Sequence, residues 1–497
     1  MAVGQGGAAC GGGQSGLPCS NPAAASGFTF TPRKHRMDRP SPVFRAYDIR
    51  GKAGQDFDEI WVRRLGRACG RRFLAEGCRS AVVGRDCRLS SPALADALAW
   101  GLASAGVDVL RAGMIPTPCL YYATLHLGRK AGIMVTASHN PPEYNGFKIW
   151  LGDTTLHDDG IRELDRLMSR EEADEGGPDR PPAGSALLSD VDVTPEYVEE
   201  IVARLGPCSP RRVVVDGGNG AAGPVCVEVL RRMGAEVIPL FCEPDGRFPN
   251  HPPDPTRAEN MTALAEAVRE SRADLGVGLD GDGDRIGVMD RRGRLLYGDE
   301  LLAVYSRDLL SRHPGALILA DVKCSQRLFD DIRARGGRTE MCRSGHSVAK
   351  ARLREEGGLL AGELSGHIFH AENWYGFDDA TYCAARLLTV LDRLGEPLER
   401  LPGWPPIHAT PEIALPCPDA VKFEVADRAL AWYRERRPTI AIDGARVDFE
   451  GGWGLVRASN TSPSLVLRFE ADSAERLAAI RGEMEDRVRR WVTEAVA

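Results

Sequence analysis

Short runs of β-branched and aliphatic residues alternate along the chain with stretches whose apolar positions recur at helical spacing, the pattern of an α/β protein. Ala81-Val82-Val83-Gly84-Arg85-Asp86 predicts a strand, and Ser91-Pro92 with the Ala/Leu-rich run to Ala105 predicts a helix whose start Ser and Pro mark. The same opening recurs at Arg212-Val213-Val214-Val215-Asp216, followed by Gly217-Gly218-Asn219-Gly220, and at Leu317-Ile318-Leu319-Ala320-Asp321. Three segments of about 100–150 residues thus each begin with an apolar strand ending in Asp, which predicts three similarly built α/β domains. From about residue 407 the plan changes. A strand at Ser464–Phe469 and a closing helix from Ser473 predict a smaller α+β unit.

Turn-forming clusters at Glu175–Pro182, Asp290–Gly293 and Pro402–Pro406 set the expected boundaries. The resulting division is 1–40, 41–185, 186–290, 291–405 and 406–497. Residues 1–40 are rich in Gly, Ala, Ser and Pro without apolar periodicity, the composition of a disordered segment. Met37 stands directly before the first patterned stretch, Val43–Gly51, so a start at Met37 is expected, with the residues before it a misannotated extension.

Composition narrows the function. In 497 residues, 43% apolar and 27% charged is ordinary for a globular enzyme, which excludes wholesale disorder and a fibrous protein. The net charge of −7 provides no global field for a nucleic acid or an anionic membrane, so cations for an anionic substrate must be gathered locally. No apolar stretch reaches the length of a spanning helix, and the N-terminus lacks a secretory core; a cytoplasmic protein is expected. The 13 cysteines are scattered without a C-x-x-C pair and are read as reduced thiols.

The candidate chemistry lies in four loops. Asp280-Gly281-Asp282-Gly283-Asp284-Arg285 follows the apolar run Leu275–Leu279. Carboxylates at alternate positions of extended backbone project to one side, glycines let that backbone curl, and hard oxygen ligands favour Mg2+. An EF-hand is excluded, because Arg285 and Arg291 occupy its Gly and Glu positions. A phosphatase in which Asp280 is itself the nucleophile stays open. In Thr136-Ala137-Ser138-His139-Asn140-Pro141, Ser138 follows an apolar strand, and His139 and Lys148 offer the base and positive charge that a serine nucleophile needs. Glu363-Leu364-Ser365-Gly366-His367 is expected to present Glu363, Ser365 and His367 on one side of an extended loop, as acceptors for sugar hydroxyls. Arg457-Ala458-Ser459-Asn460-Thr461 combines a guanidinium with hydroxyl and amide donors suited to a phosphate. Each loop alone could also be read as a structural turn. Gly218-Asn219-Gly220-Ala221-Ala222-Gly223, with Glu243 beyond it, also fits the dinucleotide pattern of an oxidoreductase.

Together, in order and spacing, the Ser138 loop, the Asp280/Asp282/Asp284 cluster, the Glu363–His367 loop and the Arg457–Thr461 loop resemble the four active-site loops of the α-D-phosphohexomutase superfamily, from about Val43 to the C-terminus. The resemblance implies a heart-shaped enzyme of three related α/β domains with mixed sheets plus a smaller α+β C-terminal domain, around a central cleft. It also implies a phosphoserine at Ser138, and Mg2+ held by Asp280, Asp282, Asp284 and a Ser138 phosphate oxygen. Tyr47, Arg50, His139, Lys148, Arg285, Lys323 and His346 match further site positions. The Gly-Glu-x-Ser-Gly-His form of the third loop, with Asn373–Asp379 and Gly451–Thr461, is similar to the bacterial phosphomannomutase/phosphoglucomutase branch. Phosphoglucosamine mutases carry a related loop, usually with Gln in place of Leu364.

The implied reaction is reversible interconversion of a hexose 1-phosphate and 6-phosphate, mannose or glucose, through a bound 1,6-bisphosphate, with glucose 1,6-bisphosphate as activator. Arg285 would neutralise the transferring group. Arg457, Ser459, Asn460 and Thr461 would grip the phosphate that stays, and Glu363 and Ser365 the sugar hydroxyls. Lys148, His139 and His367 are the candidates for proton transfer. No nucleic acid or membrane partner is expected, and the chain is expected to be a monomer or small homo-oligomer. A sugar-phosphate-binding protein without turnover is the non-enzymatic alternative.

Overall fold

The computed structural model describes residues 43–170, 186–460 and 462–497. The segment 1–40 with Met37, the Glu175–Pro182 boundary and Thr461 lie outside the described residues.

Three mixed sheets are built to one plan. In the first, Ser80–Arg85 lies between the parallel strands Asp108–Met114 and Ala131–Val135, and Tyr144–Leu151 pairs antiparallel with the latter. In the second, Arg212–Asp216 lies between the parallel strands Glu236–Leu240 and Leu275–Leu279, with Ile286–Asp290 antiparallel beyond. In the third, Leu317–Asp321 lies between Arg338–Cys342 and Leu360–Gly362, with Ile368–His370 antiparallel beyond. Strands covered on both faces read as continuous rather than alternating apolar runs, which is why each opening strand is so uniformly aliphatic. Val82, Val214 and Ile318 are fully buried.

The repeated Asp at the end of each opening strand ties down the turn that follows. Asp86, Asp216 and Asp321 are buried. Asp86 accepts from the Arg88 amide at 3.0 Å and the Thr136 hydroxyl at 2.8 Å, Asp216 from the Gly218 amide at 2.9 Å, and Asp321 from the Ser344 hydroxyl at 2.7 Å. The carboxylate satisfies backbone and hydroxyl donors that the end of a strand leaves without partners.

The C-terminal part is an antiparallel sheet in the order His408–Ala409, Ser464–Ala471, Gly452–Ala458, Ala445–Phe449, Thr439–Ile440, with Ile413–Pro416 also paired to Ser464–Ala471. The helices Lys422–Arg434 and Ala474–Val496 pack on it. Ser473 is the N-cap of the closing helix and accepts from the Arg476 amide at 3.2 Å.

This plan places three of the four candidate loops equivalently. These three are the turns joining the outer parallel strand to its antiparallel neighbour in successive sheets, and the fourth joins Gly452–Ala458 to Ser464–Ala471. They open into one shared cavity of about 1150 Å³. Among the described residues no helix is long and apolar enough to cross a membrane. The eleven described cysteines are all unpaired.

Candidate active site

Ser138 stands at the tip of its turn with φ +51°, a left-handed conformation rare for serine, and is 2% exposed. Its Oγ donates to Asp280 Oδ2 at 2.5 Å and lies 3.0 Å from His139 Nδ1. The nucleophile candidate and the first carboxylate of the acidic loop therefore meet across two sheets.

The acidic loop is a tight turn: its glycine lets the backbone curl as expected, but the carboxylates do not converge by alternation along extended backbone. The Gly283 amide donates to the Asp280 carbonyl at 3.2 Å, Gly283 has φ +76°, and the amides of Asp284 and Arg285 donate to Asp280 Oδ1 at 3.0 and 3.1 Å. The turn, not alternation along a strand, brings one oxygen from each of Asp280, Asp282 and Asp284 within 4.8 Å of the others, all buried. Burial, then the repulsion of Asp284 and Asp282, pushes the Asp280 carboxyl well above the usual carboxylate range. Asp282 Oδ1 and Asp284 Oδ1 are buried without a hydrogen-bond partner. Orphaned buried carboxylate oxygens and mutual repulsion are what a divalent cation relieves, so these residues fit Mg2+.

Lys148 reaches the same carboxylates from the strand beside the Ser138 loop, donating to Asp282 Oδ2 at 2.7 Å and to Asp284. Burial works against its charge, but Asp282 and Asp284 outweigh it and hold Lys148 protonated. Desolvation, followed by Arg285 and Arg50, keeps His139 well below the ordinary imidazole range, and so neutral at pH 7. Arg50 donates to Asn140 Oδ1 at 2.8 Å and to Asp48 Oδ2 at 2.5 Å, which fixes it beside the Ser138 loop.

The Glu363–His367 loop also closes into a turn. The Glu363 amide donates to the His367 carbonyl at 2.9 Å, and Gly366 has φ +85°. Glu363, Ser365 and His367 all line the cavity nonetheless. Glu363 accepts from the Gly345 amide at 2.7 Å and from the Ser365 hydroxyl at 2.8 Å. His367 Nε2 accepts from Arg285 Nε at 3.0 Å, which leaves its proton on Nδ1, 3.1 Å from Asp378 Oδ2. The His346 ring stacks on His367 with centroids 5.4 Å apart, and Lys350 donates to Asp378 Oδ1 at 2.8 Å. Burial and the adjacent Lys350 hold His346 well below the ordinary imidazole range.

The same cavity also has a cationic end. Arg457 donates to Asp443 Oδ2 at 2.7 Å and Lys323 to Glu412 Oε1 at 2.7 Å. Tyr47 joins three of the units: its hydroxyl donates to the Ser344 carbonyl at 2.8 Å and accepts from Asn460 Nδ2 at 2.6 Å. Burial pushes the Tyr47 phenol up to about 12, so it stays a neutral donor. Ser459 and Ser462 share a hydroxyl contact at 2.8 Å. A Cβ on Gly345, whose φ is +140°, would lie 2.5 Å from the Tyr47 ring. Gly345→Ala is accordingly expected to cost about 1–3 kcal/mol of stability and to raise KM by displacing Tyr47; thermal unfolding and steady-state kinetics check both.

Among the described residues, every site residue expected from the sequence lies on this cavity or directly behind it. Glu412, Asp443 and Lys350 stand outside every motif singled out in the sequence, and Asp378, though within the Asn373–Asp379 run, is given no role by that run. The phosphatase alternative is disfavoured, since both Asp280 oxygens are engaged and the residue sits behind Ser138, fully buried. The dinucleotide alternative fails on space. A Cβ at Gly220 would lie 2.7 Å from the Gly281 carbonyl oxygen and one at Gly223 2.9 Å from Cys242 Cα. Gly220 serves close backbone packing against the acidic loop and Gly223 against Cys242, and they leave no room for a pyrophosphate.

A buried serine against a carboxylate cluster, on a polar cavity that cations also line, is what phosphoryl transfer to a hydroxyl requires. Family models described as phosphoglucomutase/phosphomannomutase match in four successive parts: α/β/α domain I over residues 41–175, domain II over 195–293, domain III over 297–404 and the C-terminal domain over 412–487. The chain belongs to this family, within the α-D-phosphohexomutase superfamily. It is 46% identical over 447 residues to a phosphomannomutase/phosphoglucomutase of Pseudomonas putida, covering 89% of this chain and 94% of that one. It is 39% identical over 451 residues to a phosphoglucomutase of Neisseria gonorrhoeae, covering 89% and 96%. A solved phosphoglucomutase/phosphomannomutase family protein of Burkholderia thailandensis superposes with a TM-score of 0.82 at 41% identity, covering 91% of this chain and 97% of that one.

Proposed function

We propose that this enzyme interconverts hexose 1-phosphates and hexose 6-phosphates, mannose and glucose alike, with Ser138 as a resident phosphate carrier. The observation that carries the reading is the Ser138 hydroxyl held against Asp280 at 2.5 Å on a cavity shared with the polar third loop and the cationic end. In the first half-reaction the bond from phosphorus to Ser138 Oγ breaks, and a bond to the free sugar hydroxyl forms. The hydroxyl proton leaves to a base, and the product is a bound 1,6-bisphosphate. Of the three candidates, Lys148 is already protonated in this geometry. His139, neutral and 3.0 Å from Ser138 Oγ, is placed to hold a proton at that oxygen, and His367 Nε2 is oriented by Arg285 and Asp378.

Asp280, Asp282 and Asp284 would hold Mg2+, which when bound neutralises charge on the transferring group. Arg285 adds a second positive charge there. Arg457, Lys323, Ser459 and Asn460 grip the phosphate that stays; an incoming phosphate competes with Asp443 and Glu412 for the first two. Glu363 and Ser365 take sugar hydroxyls. The cavity slightly exceeds the usual size of ligand pockets, about 300–1,000 Å³, which suits a bisphosphate that must turn end for end before its other phosphate returns to Ser138. The reading includes glucose 1,6-bisphosphate as activator, and a cytoplasmic location in which unpaired thiols stay reduced.

Steady-state rates with glucose 1-phosphate and mannose 1-phosphate, primed by catalytic glucose 1,6-bisphosphate, test it. Comparable kcat/KM for both is expected. A ratio beyond about a thousandfold, roughly 4 kcal/mol, would defeat dual specificity, and preference for glucosamine 6-phosphate would move the enzyme to the neighbouring branch.

A further inference from the structure

The three sheets repeat a strand ending in Asp, and the residue two places further on differs in each: Arg88, Gly218 and Lys323. Lys323 faces the cavity. At Gly218 there is no side chain, and the partner of Asp216 arrives from another loop, His251 Nε2 at 3.1 Å. Arg88 does neither. It is 0% exposed, and its guanidinium turns inward under the Ser138 turn.

All five of its N–H donors are used. Nε donates to Asp86 Oδ2 at 3.1 Å. One terminal nitrogen donates to the carbonyls of Pro141 at 2.6 Å and Tyr144 at 3.0 Å, the other to those of Ser138 at 2.7 Å and Asn140 at 2.6 Å. Asp86 balances the charge and also accepts from Thr136 Oγ1, which in turn accepts from the Ser138 amide at 2.9 Å. The second sheet's unit seals the arrangement, with the Phe248 ring 5.0 Å from the guanidinium. A planar fork with five fixed donors can do this; an ammonium with three donors on a flexible stem cannot.

We propose that Arg88 is a positioning residue of the transfer reaction: it holds the carbonyls of the Ser138 loop turned away from the cleft, so that a phosphate on Ser138 faces no carbonyl oxygen and Ser138 Oγ keeps its aim. Each carbonyl oxygen carries partial negative charge, and one turned toward a phosphate dianion would oppose both its formation and its transfer. The pull of Arg88 also maintains the left-handed backbone at Ser138, whose strain must be offset by its surroundings. The inference rests on the reading of Ser138 as phosphate carrier.

Arg88→Lys tests it in the full-length enzyme. Three quantities are read: the single-turnover rate of Ser138 phosphorylation by glucose 1,6-bisphosphate, kcat with KM, and hydrogen exchange across residues 136–148. The expected result is a fall of about ten- to a hundredfold in kcat and in the phosphorylation rate, the scale of a misplacement of about 1 Å. KM should change less than about threefold, because the gripping residues lie on other loops, and faster exchange should be confined to the Ser138 loop. Wild-type rates in Arg88→Lys would overturn the proposal. So would a loss of cooperative melting or exchange raised throughout the chain, since Arg88 would then serve global stability. If wild type itself takes up no phosphate, the carrier reading fails instead; if wild type is phosphorylated and Arg88→Lys keeps pace with it, this inference alone fails.

Discussion

Ser138→Ala is expected to lower kcat by about 10⁴-fold or more, with binding of hexose 6-phosphate nearly unchanged. Removal of a nucleophile that forms the covalent intermediate eliminates the route itself rather than weakening one contact. The methyl group leaves Asp280 without the hydroxyl it accepts from at 2.5 Å, but Asp280 Oδ1 retains the amides of Asp284 and Arg285, so the acidic turn persists. Steady-state kinetics with calorimetric titration of hexose 6-phosphate would separate the two effects. A variant that keeps more than about a hundredth of wild-type kcat would place the nucleophile elsewhere.

The second large effect is expected at the acidic turn. Asp280→Asn removes one of three converging negative charges and should lower kcat about a thousandfold, roughly 4 kcal/mol. It should also raise the Mg2+ concentration needed for half-maximal rate. Amide for carboxylate leaves the turn's shape intact, because the side-chain oxygen can still accept from the amides of Asp284 and Arg285. With the cluster's repulsion reduced, the variant should melt no lower than wild type in chelator, whereas wild type should gain stability from added Mg2+. Magnesium titrations of rate and of Tm check this. Full activity of either protein in excess chelator would remove the cation from the account.

The two turns show why part of the site was legible in sequence and part was not. Asp280, Asp282 and Asp284 announce themselves because like charges are crowded in one short segment, and Ser138 because its apolar strand and turn residues are contiguous. The repeated strand ending in Asp was equally visible, since covered parallel strands are uniformly aliphatic. Its purpose was not, because the donors to Asp86 and Asp321 come from Thr136 and Ser344, on other connections of the same sheets. The expectation of extended backbone failed at Glu363–His367, and at Asp280–Asp284 only the curl that glycine allows was foreseen, for a related reason. Gly283 and Gly366 take positive φ and close turns that alternation alone does not foresee.

Residues whose role is to hold another residue were the hardest to find. Glu412 meets Lys323 across 89 positions, and the Asn460 contact to Tyr47 spans 413. Such pairs are set by how the sheets pack; Tyr47 and Asn460 each stand in a patterned segment, but nothing in either segment announces the other. Arg88 was invisible for the opposite reason. In sequence it is one of many arginines, and only burial with all five donors engaged distinguishes it.

Ser138 is expected to carry phosphate and to end each cycle still phosphorylated, as a mutase nucleophile must and a hydrolase nucleophile does not. Intact-mass measurement during and after turnover of glucose 1-phosphate, primed with glucose 1,6-bisphosphate, tests it most directly. Wild type should retain the mass of one phosphate, located by peptide mapping to Ser138, and Ser138→Ala should never acquire it. A phosphate adduct on Ser138→Ala, or a wild-type enzyme that turns over while remaining unphosphorylated, would contradict the account.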